Sequence, residues 1–470
     1  MWTGVLISLQ QELVVTLIIF ILLFIKLGAT EYKTGVILNM VNVLLLVNFL
    51  AGLAMNAESA LFNGMFHSNR LIFLEKNMLN LGTLILSLQA YSWLKDHKLV
   101  LEFYMLLLST LLGLFFMISA GNLLMFYLGL ELSTIPLAAL SSFDLEKRRS
   151  SEAATKFIMS SAFSSGLLLF GISLVYGATG SLGFDAIGQG LDGSALQTLA
   201  FILLLSGFAF KISIVPFHLW TADVYEGSPI PVTAYLSVIS KGAVVFVFIQ
   251  VLYTVFKPLA GEWYRVLALL AVLTLFTGNL FALRQDKLKR LLAFSSITQM
   301  GFILVGITGS SRAGTASVIY FILIYIFSNL GAFGVVSLIY ALTGKDRIED
   351  YKGLYATNPL LSWVMAISLF SLAGIPPAAG FFGKFFLLMA GAAKGNYWLI
   401  GLAALNMVIS LYYYLRVIKA IFMDSNDRPI GKLTIPLLPA IGLFICMAGV
   451  ISTGFMGWVY DYIYSLSAGF

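Results

Sequence analysis

Charged side chains are scarce in this sequence of 470 residues, and that scarcity decides its class. Asp, Glu, Lys and Arg together make up 11% of the chain, whereas 60% of the residues are hydrophobic. A soluble protein carries about a quarter charged residues, so this chain lacks the polar surface that water requires. The mean hydropathy of +0.95, together with Trp and Tyr near the ends of the apolar runs, predicts a polytopic membrane protein.

Cysteine and histidine are also nearly absent, which excludes several kinds of site. The single cysteine, Cys446, allows no disulfide within the chain and no cysteine-based metal or cluster site. No Gly-x-x-x-x-Gly-Lys-Ser/Thr loop is present for nucleotide, and no two intramembrane histidines are available to bind haem. The net charge of +6 does not indicate nucleic-acid binding, because the basic residues are dispersed over short loops.

Long apolar runs make up most of the sequence. A helix needs about 20 apolar residues to cross the hydrocarbon, and fourteen runs of suitable length are present. They are expected near residues 5–26, 34–55, 71–94, 100–118, 121–141, 154–178, 195–219, 230–256, 264–283, 289–308, 314–342, 360–388, 396–420 and 433–457. Only "SAGN" separates the fourth run from the fifth. No basic stretch precedes the first run, which predicts a retained span rather than a cleaved signal peptide.

Lys and Arg are distributed unevenly over the connections. Nineteen follow odd-numbered runs and five follow even-numbered runs. Positively charged loops stay in the cytoplasm, so both termini are expected on the periplasmic side. The loops that hold Arg148, Arg290 and Arg347 are then cytoplasmic, and the loop with Asp185 and Asp192 is periplasmic.

Four lysines remain inside the runs, where a charge costs about 3 kcal/mol or more and usually has a function. They are Lys76, Lys211, Lys241 and Lys384, and Glu131 joins them from the fifth run. Lys76 follows Glu75 near the start of its run, so local pairing or snorkelling to the interface accounts for it. The other three lysines and Glu131 are the candidate functional residues.

Prolines and glycines interrupt two of the runs beside these lysines. Pro216 follows Lys211 by five residues, and "AGIPPAAGFFG" precedes Lys384. Because proline removes a backbone donor, the seventh and twelfth runs are predicted to be discontinuous helices. Breaks at corresponding places in two halves indicate inverted repeats with a site at mid-membrane depth. We expect helices 1–3 in 1–99, one five-helix repeat in 100–258, its inverted copy in 259–424 and helix 14 in 425–470, with Lys211 matched to Lys384.

Buried lysine and glutamate together indicate proton transfer. Burial disfavours the charged form of both groups, so each can exchange a proton near neutral pH. Glu131, Lys211, Lys241 and Lys384 are therefore candidate proton carriers, and Glu131 and Lys211 are expected to approach each other. His218 is either a relay or an ordinary interface histidine. Water is expected between Lys241, His218, Ser295, Ser296 and Thr298.

Two simpler readings remain open for these segments. The buried charges could form interhelical ion pairs that only hold the bundle together. The stretch "TADVYEGSPIPV", with two acids and two prolines between runs, predicts a short surface turn when taken by itself.

Four stretches carry a resemblance to a known family. They are "FKISIVPFHLWTADVYEGSPIPVTAYLSVISKGA" at 210–243, "LGLELSTIPLAAL", "LLAFSSITQMGF" and "LAGIPPAAGFFGKF". These closely resemble the subunit N family of proton-pumping NADH–quinone oxidoreductase, or respiratory complex I. The "PFHLW…DVYEGSP" part is the most specific, since sister subunits L and M and the Mrp antiporters look different there. The resemblance implies an all-α membrane protein of fourteen helices, two inverted five-helix repeats and one proton channel.

The resemblance also assigns roles to individual residues. Glu131 matches the family's fifth-helix glutamate, Lys211 the seventh-helix lysine, and Lys241 the connecting lysine of the eighth helix. Lys384 matches the lysine of the exit half-channel, and His218 the histidine that follows the broken-helix proline. One position departs from the pattern: Gln299 stands where many relatives have a histidine, and its amide cannot titrate.

The family implies that this chain binds no cofactor, and that NADH, FMN, Fe–S clusters and quinone belong to other subunits. Its expected partners are the adjacent antiporter-like and small membrane subunits of complex I, and lipid, in a bacterial inner membrane. The expected function is proton translocation driven by quinone reduction elsewhere in the complex. A cation/proton antiporter subunit of Mrp type is the alternative, and a passive membrane scaffold is a third possibility.

Overall fold

Each apolar run folds as a helix, because a helix pairs its own backbone groups and so can stand in lipid. The computed structural model describes residues 2–28, 32–54, 57–309 and 311–469. The N-terminal helices are α1 (Trp2–Ser8), α2 (Gln10–Leu27), α3 (Thr34–Ala54), α4 (Arg70–Leu94), α5 (Val100–Ile118) and α6 (Leu123–Ser141). The turn predicted at "SAGN" is confirmed, since α5 and α6 are separated by residues 119–122. The predicted end of the second run, residue 55, lies outside the described residues.

The middle of the chain contains longer and more irregular helices. They are α7 (Arg148–Thr179), α8 (Phe184–Gly190), α9 (Ala195–Ile212), α10 (Leu219–Gly227), α11 (Ile230–Ala234) and α12 (Lys241–Gln250). Two π-helical segments, Tyr235–Ser240 and Val251–Val255, continue α11 and α12, so the eighth run is one span with local widening. A π-helical turn inside a helix is often found at a functional site.

The C-terminal part repeats the alternation of long and interrupted helices. It contains α13 (Ala260–Leu283), α14 (Leu288–Thr308), α15 (Arg312–Thr343), α16 (Leu354–Thr357), α17 (Pro359–Ala373), α18 (Ala379–Ala392), α19 (Tyr397–Phe422), α20 (Leu437–Phe455) and α21 (Gly457–Leu466). Short 3₁₀ turns lie at Lys257–Leu259, Ile348–Tyr351 and Ser467–Gly469.

One part of the chain is not helical, against the all-helical expectation. Strands β1 (Ser59–Leu61) and β2 (Phe66–Ser68) form a small antiparallel hairpin between α3 and α4, with Ser59 opposite Ser68. The hairpin lies where the chain has left the apolar runs, so its backbone groups pair with each other and with neighbouring loops. The backbone N–H of His67, for example, donates to the carbonyl of Ser119 at 2.8 Å.

In the described part of the chain, thirteen spans are long and apolar enough to cross a membrane. The twelfth run is missing from that set because it is divided into α17 and α18, each too short to cross alone. The prediction of a multi-pass, almost wholly helical membrane protein with discontinuous seventh and twelfth helices is therefore confirmed. The seventh run is divided as well: α9 ends at Ile212, and α10 begins at Leu219 after the break.

Burial separates a central group of helices from a peripheral one. The eighth span, α14 and α15 are almost completely covered by other helices, whereas α2, α3 and α19 leave most of their length uncovered. The uncovered side chains are large and apolar, such as Phe24, Leu53 and Val408. An apolar outer surface of this extent suits contact with lipid. The candidate charges lie on or against the central group.

Candidate functional site

Lys211 lies in the last turn of α9, just before the first break. The helix ends at Ile212 because Ser213 adopts a left-handed backbone conformation, with φ of 62°, and Pro216 follows. The Lys211 ammonium donates to Thr134 Oγ1 at 2.6 Å and to Ser161 Oγ at 2.9 Å. The cation is therefore solvated by hydroxyls of α6 and α7.

The break itself is well satisfied by neighbouring protein groups. Thr274 of α13 accepts from the N–H of Val215 at 3.1 Å, and the indole of Trp220 donates to the carbonyl of Phe210 at 3.1 Å. Freed backbone groups are tolerated at membrane depth only against protein or a wet cavity. The backbone groups that the break frees are thus paired with protein side chains, and these contacts hold Lys211 in place.

Glu131 lies on α6, one turn from Thr134. The helix starts at Asn122, whose side chain accepts from the N–H of Met125 at 2.7 Å, a common N-terminal cap. Ser165 of α7 donates to Glu131 Oε1 at 2.5 Å. The residue pairs Glu131/Thr134 and Ser161/Ser165 each repeat at helical spacing, so α6 and α7 present two facing rows of polar groups.

Glu131 and Lys211 share this polar patch but form no direct ion pair. The carboxylate is bound by Ser165, and the ammonium by Thr134 and Ser161. The two charges are nevertheless near enough to interact electrostatically. Glu131 and Lys211 thus lie in one polar patch, and each is bound by hydroxyl groups instead of by the other.

Lys241 starts α12, directly after a π-helical segment, and is buried in the centre of the bundle. Its ammonium donates to Ser296 Oγ of α14 at 3.0 Å and lies 5.4 Å from the ring centroid of Tyr225. No carboxylate pairs with it among the described residues. The buried hydroxyls of Tyr225 and Tyr325 also lie near Ser296, but the geometry is too poor to satisfy them, as expected where water completes the hydrogen bonding.

Lys384 follows the second break, and its side chain reaches back to it. The half-helix α17 ends at Gly374, whose φ of 84° is left-handed, and α18 carries Lys384. The ammonium donates to the carbonyl oxygens of Leu372 at 2.6 Å and Ala373 at 3.3 Å. A helix end has unpaired carbonyls and a partial negative charge, which attract a cation.

A hydrogen-bonded array joins α14 to this second break. Ser295 and Tyr414 share a hydrogen bond of 2.5 Å, and Gln299 donates to the Tyr414 hydroxyl at 3.1 Å. Gln299 also donates to the Leu372 carbonyl at 3.0 Å, the same oxygen that binds Lys384. Gln299, whose amide cannot titrate, thus lies beside the Lys384 site.

Two residues predicted to surround Lys241 make no hydrogen bond to it. Thr298 donates to Asn279 and to the carbonyl of Phe294, so its hydroxyl is used within another polar group. His218 precedes α10, and its imidazole interacts with the backbone of Pro216. Within the described residues, no side-chain hydrogen bond or ion pair joins His218 to Glu131, Lys211 or Lys241.

The stretch predicted as a surface turn is instead a helix with a dense ion-pair cluster, because α10 covers residues 219–227. Asp223 pairs with Lys156 at 2.8 Å and Arg290 at 3.1 Å, and Glu226 pairs with Lys287 at 2.6 Å and Arg290 at 2.7 Å. These contacts tie α10 to α7 and α14. The sequence did not indicate them, because the bases are far from the acids along the chain.

The cluster holds both of its carboxyl groups ionised. Partial burial alone would raise the pKa of Asp223, but hydrogen bonds from Lys156 and Arg290 outweigh it and the pKa falls below its ordinary value. The pKa of Glu226 is lowered in the same way, against partial burial, by Lys287 and Arg290. Gly227 permits the close approach, since a Cβ there would lie 2.5 Å from the carbonyl oxygen of Arg149.

Several hydroxyl-bearing residues of the site were not found from the sequence, namely Thr134, Ser161, Ser165 and Tyr414. The helical spacing of Thr134 from Glu131 is a signal that could have found the first of them. Ser161 and Ser165 lie in the serine-rich stretch "SSAFSS", whose direction relative to α6 depends on packing. Tyr414 is one of three consecutive tyrosines, and only the fold shows which one faces α14.

Comparisons with known proteins agree on one family. Residues 120–410 match the family described as NADH:quinone oxidoreductase/Mrp antiporter, TM. NADH-quinone oxidoreductase subunit N of Phocaeicola vulgatus is 46% identical over 458 residues, which cover 96% of this chain and 97% of that protein. NAD(P)H-quinone oxidoreductase subunit 2 of Picosynechococcus is 43% identical over 382 residues, 79% of this chain and 72% of that one.

Solved structures show the same fold. A chain of respiratory complex I from Thermus thermophilus with bound aureothin has a TM-score of 0.82 and 28% identity, over 96% of this chain and 98% of that one. A chain of the Mrp complex from Dietzia has a TM-score of 0.86 at 20% identity, over 99% of this chain and 97% of that one. At that lower identity the likeness shows the fold alone.

Proposed function

The chain belongs to the NADH:quinone oxidoreductase/Mrp antiporter family of membrane subunits, and we propose that it acts as the subunit N of a proton-pumping NADH–quinone oxidoreductase. Curated relatives of nearly full length carry that name. In this role the chain moves protons across the membrane, while NADH oxidation and quinone reduction take place in other subunits. The redox groups expected there are FMN and Fe–S clusters.

The observation that carries this proposal is a series of buried cations without buried carboxylate partners. Lys241 is bound by one serine, and Lys384 by carbonyl oxygens alone. A buried ammonium that serves stability is normally paired, since an unpaired charge is costly to bury. A lysine that alternates between ammonium and neutral amine has less need of a fixed counter-charge. The arrangement therefore favours proton carriers over structural ion pairs.

The geometry supports a path in two parts. In the first part, Lys211 holds a proton among Thr134 and Ser161, and the nearby charge of Glu131 favours the protonated form. When a charge change in the adjoining subunit draws Glu131 away, burial dominates and Lys211 releases its proton towards Lys241. The break that contains Pro216 ends α9 one residue after Lys211.

The second part leads from Lys241 to Lys384. Lys241 contacts Ser296, and the neighbouring Ser295 starts the array through Tyr414 and Gln299 to the Leu372 carbonyl. A hydroxyl donates and accepts, so Tyr414 suits a relay, whereas the Gln299 amide orients hydrogen bonds without releasing a proton. Lys384 then receives the proton at the second break. His218 has no contact that places it in this path, so its role as a relay stays a prediction.

We further propose the domain boundaries and location given by the sequence. Helices 1–3 occupy residues 1–99, two inverted repeats occupy 100–258 and 259–424, and helix 14 lies in 425–470. The chain resides in a bacterial inner membrane with both termini in the periplasm, in contact with other membrane subunits of the complex. Cysteine labelling from one side tests this topology: positions 148 and 185 should react from opposite sides, and reaction from the same side would contradict it.

The central test replaces Lys241 by methionine in the assembled complex in proteoliposomes. We expect proton uptake coupled to NADH oxidation to fall to the background level, because methionine fills the space but carries no proton. Lys394→Met, in an exposed loop, serves as the matched control and should pump normally. Normal pumping by Lys241→Met would refute the path. Co-purification with flavin and Fe–S subunits separates this function from that of an Mrp-type antiporter.

A further inference from the structure

A second group of buried charges lies outside the proposed path, among the N-terminal helices. Glu12 of α2 and Lys76 of α4 form a hydrogen-bonded ion pair of 2.5 Å, and both side chains are almost fully buried. The Lys76 ammonium also lies 4.9 Å from the ring centroid of Phe66 and 6.0 Å from that of Phe73. The expectation that Lys76 pairs locally or snorkels is thus replaced by a pair between two helices.

Unpaired polar atoms surround this pair at one end of the bundle. Both side-chain polar atoms of Gln11 and of Asn48 are buried without a partner, as are Oδ1 of Asn77 and Oε2 of Glu12. Gln11 and Asn48 are completely buried, and Asn77 is 3% exposed. Buried polar groups are almost always hydrogen-bonded to protein or to ordered water. So many unsatisfied atoms in one place indicate a ligand that supplies both donors and acceptors.

Gly52 of α3 brings two of these unsatisfied groups together. A Cβ built on Gly52 would lie 2.6 Å from Asn77 Oδ1 and 2.6 Å from Gln11 Nε2. The polar ends of Gln11 and Asn77 therefore close over the Gly52 backbone and approach each other because residue 52 lacks a side chain. Asn48 lies one helical turn before Gly52, on the same face of α3.

We propose that α2, α3 and α4 enclose a buried water site, in which water bridges Gln11, Asn48 and Asn77 beside the Glu12–Lys76 pair. Water fits because it donates and accepts, and a buried water typically makes about three hydrogen bonds. A metal cation fits less well, since Lys76 already supplies the positive charge next to Glu12. The site would give the N-terminal helices a hydrated carboxylate of their own, at the end of the bundle where the β1–β2 hairpin lies.

The polar groups continue from this site towards the middle of the bundle. Asn80 donates to the carbonyl of Leu45 at 3.1 Å, and two turns further along α4 the hydroxyl of Ser87 contacts Asn42 at 2.6 Å and Tyr104 at 2.8 Å. Each of these two amides keeps one buried atom without a protein partner, Oδ1 in Asn80 and Nδ2 in Asn42. The inferred water is placed at Gln11 and Asn48 because both polar atoms of each of these side chains are unsatisfied.

Hydroxyl-radical footprinting of the intact complex tests the water site directly, because radiolysis of bound water oxidises the side chains next to it. Phe66 and Phe73 are buried reporters close to Lys76, and Phe201, packed against Phe256 at a ring distance of 5.0 Å, is a buried reporter in an apolar setting. We expect Phe66 and Phe73 to be oxidised several-fold faster than Phe201. Equal and slow oxidation of all three would overturn the proposal.

Substitution of the glycine localises the water. Gly52→Ala should push the Gln11 and Asn77 side chains away from α3, disrupt the polar groups that hold the water and lower oxidation of Phe66 several-fold. Gly35→Ala on the same helix is the matched control, since its Cβ would meet only the Tyr91 hydroxyl at 3.9 Å. Unchanged oxidation in Gly52→Ala would contradict the site. If that variant fails to assemble, Asn77→Leu removes the polar lining at similar volume and should lower oxidation in the same way. This readout is independent of proton pumping.

Discussion

The two broken helices have the same kind of end but place their lysines differently. Both first halves end in a left-handed residue, Ser213 in one and Gly374 in the other, and both are followed by proline. Lys211 lies two residues before its break, and Lys384 lies ten residues after its own. The Lys384 side chain nevertheless returns to Leu372, which is two residues before Gly374. The Lys384 ammonium thus contacts the helix end before its own break, whereas the Lys211 ammonium contacts the neighbouring helices α6 and α7.

The surroundings of the two lysines differ more than their positions. Lys211 is held by side-chain hydroxyls, with the Glu131 carboxylate in the same patch. Lys384 is held by backbone carbonyls at a helix end, and no acid within the described ranges pairs with it. A carboxylate can change its charge or move, whereas a helix end cannot. The first break is thus suited to changing the proton affinity of Lys211. The second break keeps the electrostatic surroundings of Lys384 constant while this lysine receives and releases a proton.

Lys211→Arg is the most stringent test of the difference between the two lysines. Arginine keeps the positive charge and the hydrogen bonds but does not deprotonate in proteins. If Lys211 is a proton carrier, coupled proton pumping should fall by about a hundredfold, the scale of a lost acid–base group. The measurement is proton uptake by proteoliposomes during NADH oxidation, with Lys394→Arg as the control. Assembly with normal pumping would show that Lys211 serves only as a cation.

The second lysine should show a large but smaller effect. Lys384→Ala removes the ammonium from the Leu372 and Ala373 carbonyls, and hydrogen bonds to charged groups are worth about 1.5–3 kcal/mol. We expect pumping to fall by about tenfold or more, since 1.4 kcal/mol is one factor of ten. Phe385→Ala, at the next and partly exposed position, is the control for helix packing. Pumping equal to that of the control would make Lys384 merely structural.

Glu131→Gln should separate charge from hydrogen bonding at the first break. The amide can still accept from Ser165, so the packing of α6 on α7 is kept while the charge near Lys211 is lost. Lys211 would then bind its proton less tightly, and we expect pumping to fall by several-fold rather than to vanish. Titration of the pumping rate against pH is the measurement, and Glu262→Gln at an exposed acid is the control. An unchanged pH profile would remove Glu131 from the switch.

Much of this picture follows from the sequence, and the remainder has identifiable reasons. Run length and hydropathy predicted the spans, and proline with glycine predicted both breaks, because these signals act within one segment. The buried lysines were visible as charges in apolar runs. The hydroxyl groups of Thr134, Ser161 and Ser165 were not predicted as part of the site, since their positions depend on how α6 and α7 face each other. The α10 ion pairs were missed for the same reason, as Lys156 and Arg290 are distant from Asp223 along the chain.

Gln299 tests the array that leads to the second break. Gln299→Leu should remove the bridge between Tyr414 and the Leu372 carbonyl, and a single hydrogen bond contributes about 1 kcal/mol, which corresponds to about fivefold in rate. Gln299→His should pump at least as well as the natural residue, because imidazole both bonds and titrates. The comparison is made on NADH-driven proton uptake. Equal pumping rates in Gln299→Leu and in the natural protein would exclude the Gln299 bridge from the proton path.

The smallest expected effect concerns the half-helices that follow the breaks. The first of them, α10, is fastened by Asp223 and Glu226 to bases on α7 and α14, whereas α18 is held by packing and by Lys384. Acid should therefore loosen the first break before the second. The carboxyl pKa values are lowered in the folded chain, so their contribution to stability is complete above the ordinary values of 3.8 and 4.5. It is lost as pH falls through the lower folded values.

Thermal unfolding of the assembled complex as a function of pH provides the measurement. Asp223→Asn should lower the midpoint at neutral pH only slightly, because Asp223 is partly exposed and such pairs are worth about 0–1 kcal/mol. The difference from the natural protein should shrink as the pH falls below 3.8, where the natural carboxyl also loses its charge. Asp96→Asn, in an exposed loop, is the control. If the natural protein instead gains stability relative to Asp223→Asn as the pH falls, the charge of Asp223 opposes folding. In that case α10 is held by packing, as α18 is.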